Sequence, residues 1–297
     1  MRILVTNDDG VRAPGIAALA RAAHEAGHDV VVVAPLVDYS GAGAAVGPVH
    51  SRDGVDYESH VIEGLDVPAF GIDGPPALAV ILACVGGFGP RPELILSGVN
   101  HGINVGRSAM HSGTVGAALT GAHFGLRCIA VSIRWGDDPV PWATPATLAS
   151  ALVPVVAASP AGTVVNLNVP NLPLSSVRGV RRGALARGGT IRSAVHDAPP
   201  AGHEPGSGHL ALPPAGSGTL RLDLVTPGPD TGTEDLETDA GLLASDYVSL
   251  TALVGVREAA GGPADEVVAS GLGTLAGLLG PLPAVPGRAG PGPGAGA

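Results

Sequence analysis

The alternation of apolar runs in the first 35 residues is the feature that most constrains the fold. Residues 3–5 are Ile-Leu-Val, and residues 29–34 are Asp-Val-Val-Val-Val-Ala. Between them, Pro14 opens and Gly27 closes a segment whose apolar side chains repeat at helical spacing, as in an α-helix. Continuous apolar strands are typical of parallel sheets that are covered on both faces. Strand, helix and strand in this order predict a βαβ unit.

The same alternation continues to residue 170. Further apolar strands are predicted at 94–97, 129–133 and 164–169, with helices between them. Residues 55–73 contain shorter β-favouring runs separated by turns, which predicts an antiparallel edge. The expected fold is therefore α/β, a doubly wound and mostly parallel sheet that is extended at its C-terminal side by further strands and a hairpin.

Composition divides the chain after about residue 256. Residues 1–256 are expected to form one α/β domain, in which about 190–222 is an extended hairpin or loop rich in Pro, Gly, His and Ala. Such a long segment with few core residues is awkward in a compact monomer, so we expect it to reach toward a partner subunit. Residues 257–297 are a tail of Gly, Pro and Ala, and most of it is expected to be disordered.

The composition excludes several classes of function. The net charge is −10, and a groove for nucleic acid would need a basic stripe. The chain contains no lysine, which excludes a P-loop lysine and a Schiff-base lysine. No apolar run reaches the roughly 18 residues of a membrane-spanning helix, and the first strand leaves no room for a signal peptide. With two cysteines and no CxxC pair, we expect a cytoplasmic protein with buried thiols.

Two adjacent carboxylates, Asp8 and Asp9, directly follow the first strand and precede Gly10. Neighbouring carboxylates repel each other, and a bound cation relieves that repulsion. Hard oxygen ligands of this kind suit magnesium, manganese or calcium. The alternative is a polar turn that caps the next helix, because Asn, Asp and Gly are common turn residues.

Other loops bring oxygen-bearing side chains to the same edge of the predicted sheet. Ser40 follows the second strand, Asn100 follows the strand at 94–97, and Ser112 heads a helix after a glycine-rich loop. Ligands of doubly wound sheets bind outside the carboxyl ends of the strands. The helix start offers free amides and the Thr114 hydroxyl to an anion. The alternatives are an ordinary turn serine at Ser40 and simple N-capping at Ser112.

Short segments along the chain form an ordered set that covers about residues 1–254. They are Asn7-Asp8-Asp9-Gly10, Ala34-Pro35 followed by Ser40-Gly41, Ser97-Gly98-Val99-Asn100, Asn104-Val105-Gly106, Ser112-Gly113-Thr114-Val115-Gly116-Ala117-Ala118, Asn166-Leu167-Asn168-Val169-Pro170, Arg181, Thr238-Asp239 and Tyr247-Val248-Ser249. In this order they resemble the SurE survival-protein family of metal-dependent 5′(3′)-nucleotidases.

The resemblance implies a metal site, a phosphate site and an oligomer. The implied core is Rossmann-like, and C-terminal segments are exchanged between subunits of a homodimer or a homotetramer. The implied metal is magnesium or manganese. Its implied ligands are Asp8, Asp9, Ser40 and Asn100, and the implied phosphate-binding residues are Asn104, Ser112, Gly113 and Thr114.

The chain departs from the family pattern at three places. Residues 36–39, Leu-Val-Asp-Tyr, stand where polar and basic residues are usual. His111 stands where tyrosine is common, and Glu237 stands where glycine is usual. The first two lie near the expected pocket and bear on substrate preference. His101 and His111 are candidate general acids, with a polar surface role as the alternative.

The expected function is hydrolysis of nucleoside 5′(3′)-monophosphates to nucleoside and phosphate by metal-activated water, as in a 5′-nucleotidase. Asp8 and Asp9 would anchor the metal, and one of them would orient or deprotonate the water. A dinucleotide-binding module is one rival, but it predicts GxGxxG where residues 7–15 are Asn-Asp-Asp-Gly-Val-Arg-Ala-Pro-Gly. A second rival is a non-catalytic or altered-specificity relative that binds metal and phosphate.

Overall fold

The computed structural model describes residues 1–47, 49, 54–187 and 236–256, the backbone of 195–197 and 220–222, and residues 266–268 and 270. Residues 1–255 form one compact unit, and residues 256–297 form a second. In the second unit, residues 266–268 and 270 are helical. Most of the expected disordered tail, and most of the expected hairpin at 190–222, lie outside the described residues.

A mixed sheet of nine strands, counted over the described residues, forms the centre of residues 1–255. Its order is β3-β4-β2-β1-β5-β6-β7-β11-β8. The strands are β1 (Arg2–Thr6), β2 (Asp29–Pro35), β3 (Tyr57–Ile62), β4 (Leu65–Ile72), β5 (Leu94–His101), β6 (Arg127–Ile133), β7 (Val164–Val169), β8 (Val180–Arg182) and β11 (Val248–Leu253). Two more strands, β9 (Val195–Asp197) and β10 (Leu220–Leu222), pair with each other in antiparallel fashion.

Neighbouring strands from β4 through β7 run parallel. At one edge β3 pairs antiparallel with β4, and near the other edge β11 pairs antiparallel with β7. This arrangement confirms the predicted mostly parallel α/β fold. Because β2, β1, β5 and β6 are adjacent and parallel, the loops that follow them open on one edge of the sheet.

Helices cover both faces of the sheet. They are α1 (Pro14–Glu25), α2 (Pro76–Cys84), α3 (Gly113–His123), α4 (Ala143–Ala157) and α5 (Asp239–Ala244). Helices α1 and α4 pack together, as do α2 and α3. Ile3 and Val5 point into one hydrophobic core, and Leu4 points into the other. Burial on both faces explains why the strands are continuously apolar.

Helix α5 is absent from the sequence-based prediction, because a helix of only six residues shows little periodicity. Thr238 caps it by accepting a hydrogen bond from the Gly241 amide at 3.2 Å. The helix therefore begins directly at Asp239, and this position matters for the candidate site. No helix in the described part of the chain has the length and apolar character needed to cross a membrane.

Candidate active site

Asn7 shapes the loop that carries the two carboxylates. Its side-chain amide donates to the Gly10 carbonyl at 3.1 Å, and the Gly10 amide donates back to Asn7 Oδ1 at 3.2 Å. Gly10 has a φ of 102°, which favours glycine. The residue that precedes α1 is Ala13, and it makes no side-chain cap. The capping alternative for Asp8 and Asp9 is therefore wrong.

Asp8 is buried against the start of α3. Its side chain is 2% exposed, and its Oδ1 accepts a hydrogen bond from the Thr114 hydroxyl. Burial raises the pKa of Asp8 above its ordinary value, while the hydrogen bond from Thr114 acts in the opposite direction. A Cβ at Gly113 would lie 2.7 Å from Asp8 Cβ. The end of β1 and the start of α3 therefore fit together only because residue 113 is glycine.

Asp9 carries an oxygen that has no partner in the part of the protein that the structure describes. Its Oδ2 is buried and accepts no hydrogen bond from the described residues. Burial, followed by repulsion from Asp8 and Asp38, raises the pKa of Asp9 to about 7, and a hydrogen bond from the His101 backbone amide opposes this shift. Buried polar atoms normally have partners, so an exception calls for an explanation. A divalent cation beside Asp8 and Asp9 would satisfy this oxygen and relieve the repulsion.

The loops bearing Ser40 and Asn100 approach the same carboxylates. The Tyr39 amide donates to the Asp8 carbonyl at 2.8 Å. The exposed Ser40 is the next residue, so this bond holds its loop beside Asp8. Asn100, near the end of β5, donates from Nδ2 to the Gly102 carbonyl at 2.6 Å. Since this bond uses the amide nitrogen, Oδ1 is the atom of Asn100 that could ligate a cation.

The predicted ligand set consists of two carboxylates and two neutral side chains. Within the residues that the structure describes, no group of three or more His, Cys, Asp and Glu side chains could hold a metal. A bound ion would therefore depend on neutral oxygens and water as well. This all-oxygen donor set fits magnesium or manganese, because magnesium retains several waters when proteins bind it. The ligand set stays a prediction, and the orphan oxygen of Asp9 supports it.

The start of α3 has the features predicted for an anion site, with one exception. Ser112 Oγ accepts from the Val115 amide at 3.2 Å, so the predicted N-cap is confirmed. The amides of Gly113 and Thr114 lie in the first turn and have no acceptor within the helix. Thr114, however, is fully buried and uses its hydroxyl for Asp8. The Thr114 backbone amide also hydrogen-bonds to Asp8, so both donors of Thr114 are directed at that carboxylate, and the contact of Thr114 with phosphate stays a prediction.

Asn104 is held at the same edge by residues of β6 and β7. Its amide donates to Asn168 Oδ1 at 2.8 Å, and its Nδ2 donates to Ser132 Oγ at 2.8 Å. Its carbonyl accepts from Asn166 Nδ2 at 2.8 Å and from Asn168 Nδ2 at 3.0 Å. These bonds fix the backbone and the side chain of Asn104. Its predicted contact with phosphate remains untested.

Asp239 holds together the loops that contain Gly106 and Ala186. The sequence alone predicts no role for it. Its side chain is fully buried. Oδ2 accepts from the Gly106 amide at 2.8 Å, and Oδ1 accepts from the amides of Ala186 at 3.0 Å and Ala240 at 2.9 Å. Burial raises the pKa of Asp239, and these hydrogen bonds oppose that shift. The sequence signal for Asp239 is its place in Thr238-Asp239, one of the segments that carry the family resemblance.

The two candidate general acids have different environments. His111 is exposed, and its carbonyl accepts from the Gly43 amide at 2.9 Å. The His101 ring is stacked on Trp135, with centroids 4.0 Å apart and planes 15° apart. His101 Nε2 is buried and has no hydrogen-bond partner among the described residues. Neither general-acid assignment is tested by this geometry. Trp135 is a neighbour that the sequence analysis does not single out.

Gly113→Ala is expected to reduce activity strongly with a smaller effect on folding. The added methyl group would lie 2.8 Å from Asp8 Oδ2 as well as 2.7 Å from its Cβ, so Asp8 must move. Steady-state assays with AMP should show a loss of about tenfold or more, because small displacements of catalytic groups cost large factors in rate. Gly54→Ala is the matched control, since its Cβ would meet no atom of the described residues within 4 Å. Equal activity of both variants would contradict the packing of Asp8 on α3.

The pH dependence of stability should show the buried Asp9 carboxyl in the metal-free protein. Its pKa is raised from 3.8 to about 7 in the folded state. Between pH 3.8 and about pH 7 the folded protein therefore keeps a proton that the unfolded chain has lost. The free energy of unfolding must therefore fall over this interval as pH rises. The measured quantity is the Tm of Asp9→Asn minus the Tm of wild type, both in EDTA. This difference should be more positive at pH 8 than at pH 5. A difference that does not change with pH would contradict the shift.

Comparisons with known proteins bear directly on the family. The family model described as Survival protein SurE matches residues 3–191. The chain belongs to the SurE family. A protein named 5′-nucleotidase SurE from Legionella pneumophila (strain Lens) is 39% identical over 196 residues, which cover 65% of this chain and 73% of that protein.

Other members extend the match over most of the chain. A protein named 5′-nucleotidase SurE from Nitratidesulfovibrio vulgaris (strain Hildenborough) is 35% identical over 260 residues, covering 85% of this chain and 93% of that protein. The crystal structure of the SurE protein from Aquifex aeolicus superimposes with a TM-score of 0.66 at 25% identity, covering 93% of this chain and 99% of that chain. The resemblance drawn from the sequence motifs is thereby confirmed, and so is the fold class.

Proposed function

We propose that this member of the SurE family is a metal-dependent phosphomonoesterase that hydrolyses nucleoside 5′(3′)-monophosphates to nucleoside and phosphate. The observation that carries the proposal is the buried Asp9 Oδ2, which has no partner in the described structure and lies beside Asp8 at the carboxyl edge of the sheet. The name 5′-nucleotidase SurE of its relatives supports the substrate class.

A cation at this edge would be held by Asp8, Asp9, Ser40 and Asn100. Bound magnesium or manganese would polarise the phosphoryl oxygens and lower the pKa of a water molecule. Asp8 is fixed by the Thr114 hydroxyl and by the close packing of Gly113, so it serves as the rigid anchor. Asp9, with one oxygen that accepts no hydrogen bond from the described residues, is the residue that would orient or deprotonate the attacking water.

The substrate phosphate would be held by neutral groups. The protein has a net charge of −10, and Asp38 adds negative charge close to Asp8 and Asp9. The Gly113 amide, at the positive end of α3, would offer a hydrogen bond to phosphate without further burial of charge, whereas the Thr114 amide is directed at Asp8. Asn104, held in place by Ser132 and Asn168, would add a side-chain amide. Two ionised carboxylates balance the formal charge of a divalent ion, so attraction for phosphate would come from direct contact of its oxygens with the ion and from the start of α3.

The setting of the enzyme is part of the same proposal. We propose a homodimer or a homotetramer in the cytoplasm. The core-poor composition of residues 190–222 supports an oligomer, and the free buried thiols of Cys84 and Cys128 are compatible with a reducing compartment. Light scattering that gives the mass of a monomer at micromolar concentration would contradict the oligomer.

A substrate panel tests the activity. Release of phosphate is measured for 5′-AMP, 3′-AMP, ATP and ribose 5-phosphate in the presence of magnesium, manganese or EDTA. We expect the monophosphates to be hydrolysed with metal and not with EDTA. Absence of phosphate release from every compound with either metal would contradict the proposal and favour a relative that only binds metal and phosphate.

A further inference from the structure

Trp135 is an exposed aromatic residue beside the candidate active site. It lies just beyond the carboxyl end of β6, in a chain with only two tryptophans and 3% aromatic residues. Its side chain is 65% exposed. A single exposed apolar side chain is common in proteins, so exposure alone indicates nothing. The contacts around Trp135 indicate a role for the exposed ring.

The chain on either side of Trp135 is firmly held. The Arg134 amide donates to the Val169 carbonyl at 2.8 Å. Its guanidinium donates to the Leu243 carbonyl at 2.8 Å and to Asp246 Oδ1 at 3.0 Å. On the other side, a Cβ at Gly136 would lie 1.9 Å from Asn171 Nδ2, so the Asn171 side chain packs closely on this segment. Trp135 is therefore presented from a fixed segment.

The Trp135 ring stacks on His101, the residue that follows the predicted metal ligand Asn100. Its centroid lies 4.0 Å from that of His101, with the two planes 15° apart. Trp142 packs edge-on against the same imidazole, with centroids 5.3 Å apart. The backbone amide of His101 donates a hydrogen bond to Asp9, and Asn100 is the preceding residue. Trp135 thus has one face covered by His101, while most of its surface remains exposed.

A cavity adjoins this exposed ring. It has a volume of about 380 Å³, and its lining includes Trp135, Arg134, Asp137 and Asn171. Ligand pockets typically fall between about 300 and 1,000 Å³ and combine an aromatic surface with a few polar groups. An aromatic plane with a carboxylate, a guanidinium and an amide near it suits a flat heterocycle with hydrogen-bonding edges.

We propose that Trp135 is the stacking platform for the nucleobase of the substrate, with His101 holding the indole ring in position from behind. The inference rests on the proposed function, because it assigns the base of a nucleoside monophosphate to this cavity and its phosphate to the site at Asp8 and Asp9. One ribose joins base and phosphate, so the two subsites must be close together. His101 connects them, because its ring stacks on Trp135 and its backbone amide donates to Asp9. Stacking tolerates every base, so the expected preference is for nucleotides over other phosphate esters.

Steady-state kinetics with AMP and ribose 5-phosphate test the platform, because the second compound lacks a base. In Trp135→Ala, the ratio of KM for AMP to KM for ribose 5-phosphate should rise about tenfold relative to wild type. Trp135→Phe keeps a flat ring and should restore most of the ratio. Tyr57→Ala, which removes another exposed aromatic ring far along the sheet at β3, is the control and should leave the ratio unchanged.

The competing location for the base is a second cavity of about 260 Å³ beside Tyr39 and Leu78. If Tyr39→Ala changes the ratio and Trp135→Ala does not, the platform at Trp135 is wrong. An equal rise in KM for both substrates in Trp135→Ala would also overturn it, since that result would indicate a general disturbance of the site.

Fluorescence separates failure of this inference from failure of the proposed function. Absence of phosphate release from both substrates in the wild-type protein would contradict the phosphomonoesterase activity. In that case Trp142→Phe leaves Trp135 as the only tryptophan, and AMP and ribose 5-phosphate are titrated into this variant. Quenching by AMP and not by ribose 5-phosphate would support the platform. Absence of quenching by AMP, or equal quenching by both compounds, would overturn it.

Discussion

Asp8→Asn and Asp9→Asn are each expected to lower kcat/KM for AMP by more than about 100-fold in the presence of magnesium or manganese. Asparagine preserves the size of the side chain but removes the negative charge that a divalent cation needs. Asp8 is packed on Gly113, and Asp9 Oδ2 accepts no hydrogen bond from the described residues, so both carboxylates are placed to hold the proposed cation. Release of phosphate from AMP measures the effect.

Controls for this prediction distinguish loss of the metal site from loss of fold. Thermal unfolding should show that both variants remain folded, because neither substitution changes side-chain volume and both remove a buried charge. Asp66→Asn, at an exposed position of β4, should keep wild-type activity. Ser112→Ala should cost less than the aspartate substitutions, because the first-turn amides of α3 remain. Near wild-type, EDTA-sensitive turnover in either Asp8→Asn or Asp9→Asn would show that the metal is held elsewhere.

Asp239→Ala is expected to have the largest effect on stability. It removes one buried carboxylate that accepts from the amides of Gly106, Ala186 and Ala240, and it leaves those donors without an acceptor. Hydrogen bonds to charged groups contribute about 1.5–3 kcal/mol each in net terms, but removal of the buried charge offsets part of this. We expect the free energy of unfolding to fall by about 3 kcal/mol, which corresponds to a Tm lower by roughly 6–12 °C.

Thermal and denaturant unfolding measure the effect of Asp239→Ala. Asp29→Ala is the matched control, because it also removes a carboxylate, but one that is 61% exposed and paired with Arg2. The Arg2 side chain is 17% exposed, but because Asp29 itself faces solvent we expect this ion pair to contribute about 1 kcal/mol. If Asp239→Ala is no less stable than Asp29→Ala, Asp239 does not hold the two loops together. Activity should fall as well, because Gly106 lies in the loop that presents Asn104.

Local patterns in the sequence predict the sheet and its edge correctly for physical reasons. Continuous apolar runs such as residues 29–34 indicate strands buried on both faces, and Ile3, Leu4 and Val5 do alternate between two cores. Parallel adjacent strands then bring the loops after them to one edge. The positions of Asp8, Asp9, Ser40 and Asn100 at that edge follow from strand order alone, without knowledge of any contact.

Contacts between distant loops are beyond such reasoning. Thr114 donates to Asp8 across 106 positions, and Gly106 donates to Asp239 across 133. No period or spacing in the sequence records these bonds, because tertiary packing creates them. For that reason the sequence predicts a contact of Thr114 with phosphate and not with Asp8. His101 at the end of β5 stacks on Trp135, which follows β6. This contact likewise cannot be predicted from the sequence of either segment alone.

Calorimetric titration of manganese into the metal-stripped protein tests the central claim most directly, namely that Asp8 and Asp9 form a cation site at the carboxyl edge of the sheet. We expect wild type to bind one ion per chain, and we expect this binding to be lost in Asp8→Asn and in Asp9→Asn while both remain folded. Wild-type stoichiometry and affinity in both variants, or no binding by the wild-type protein, would contradict it.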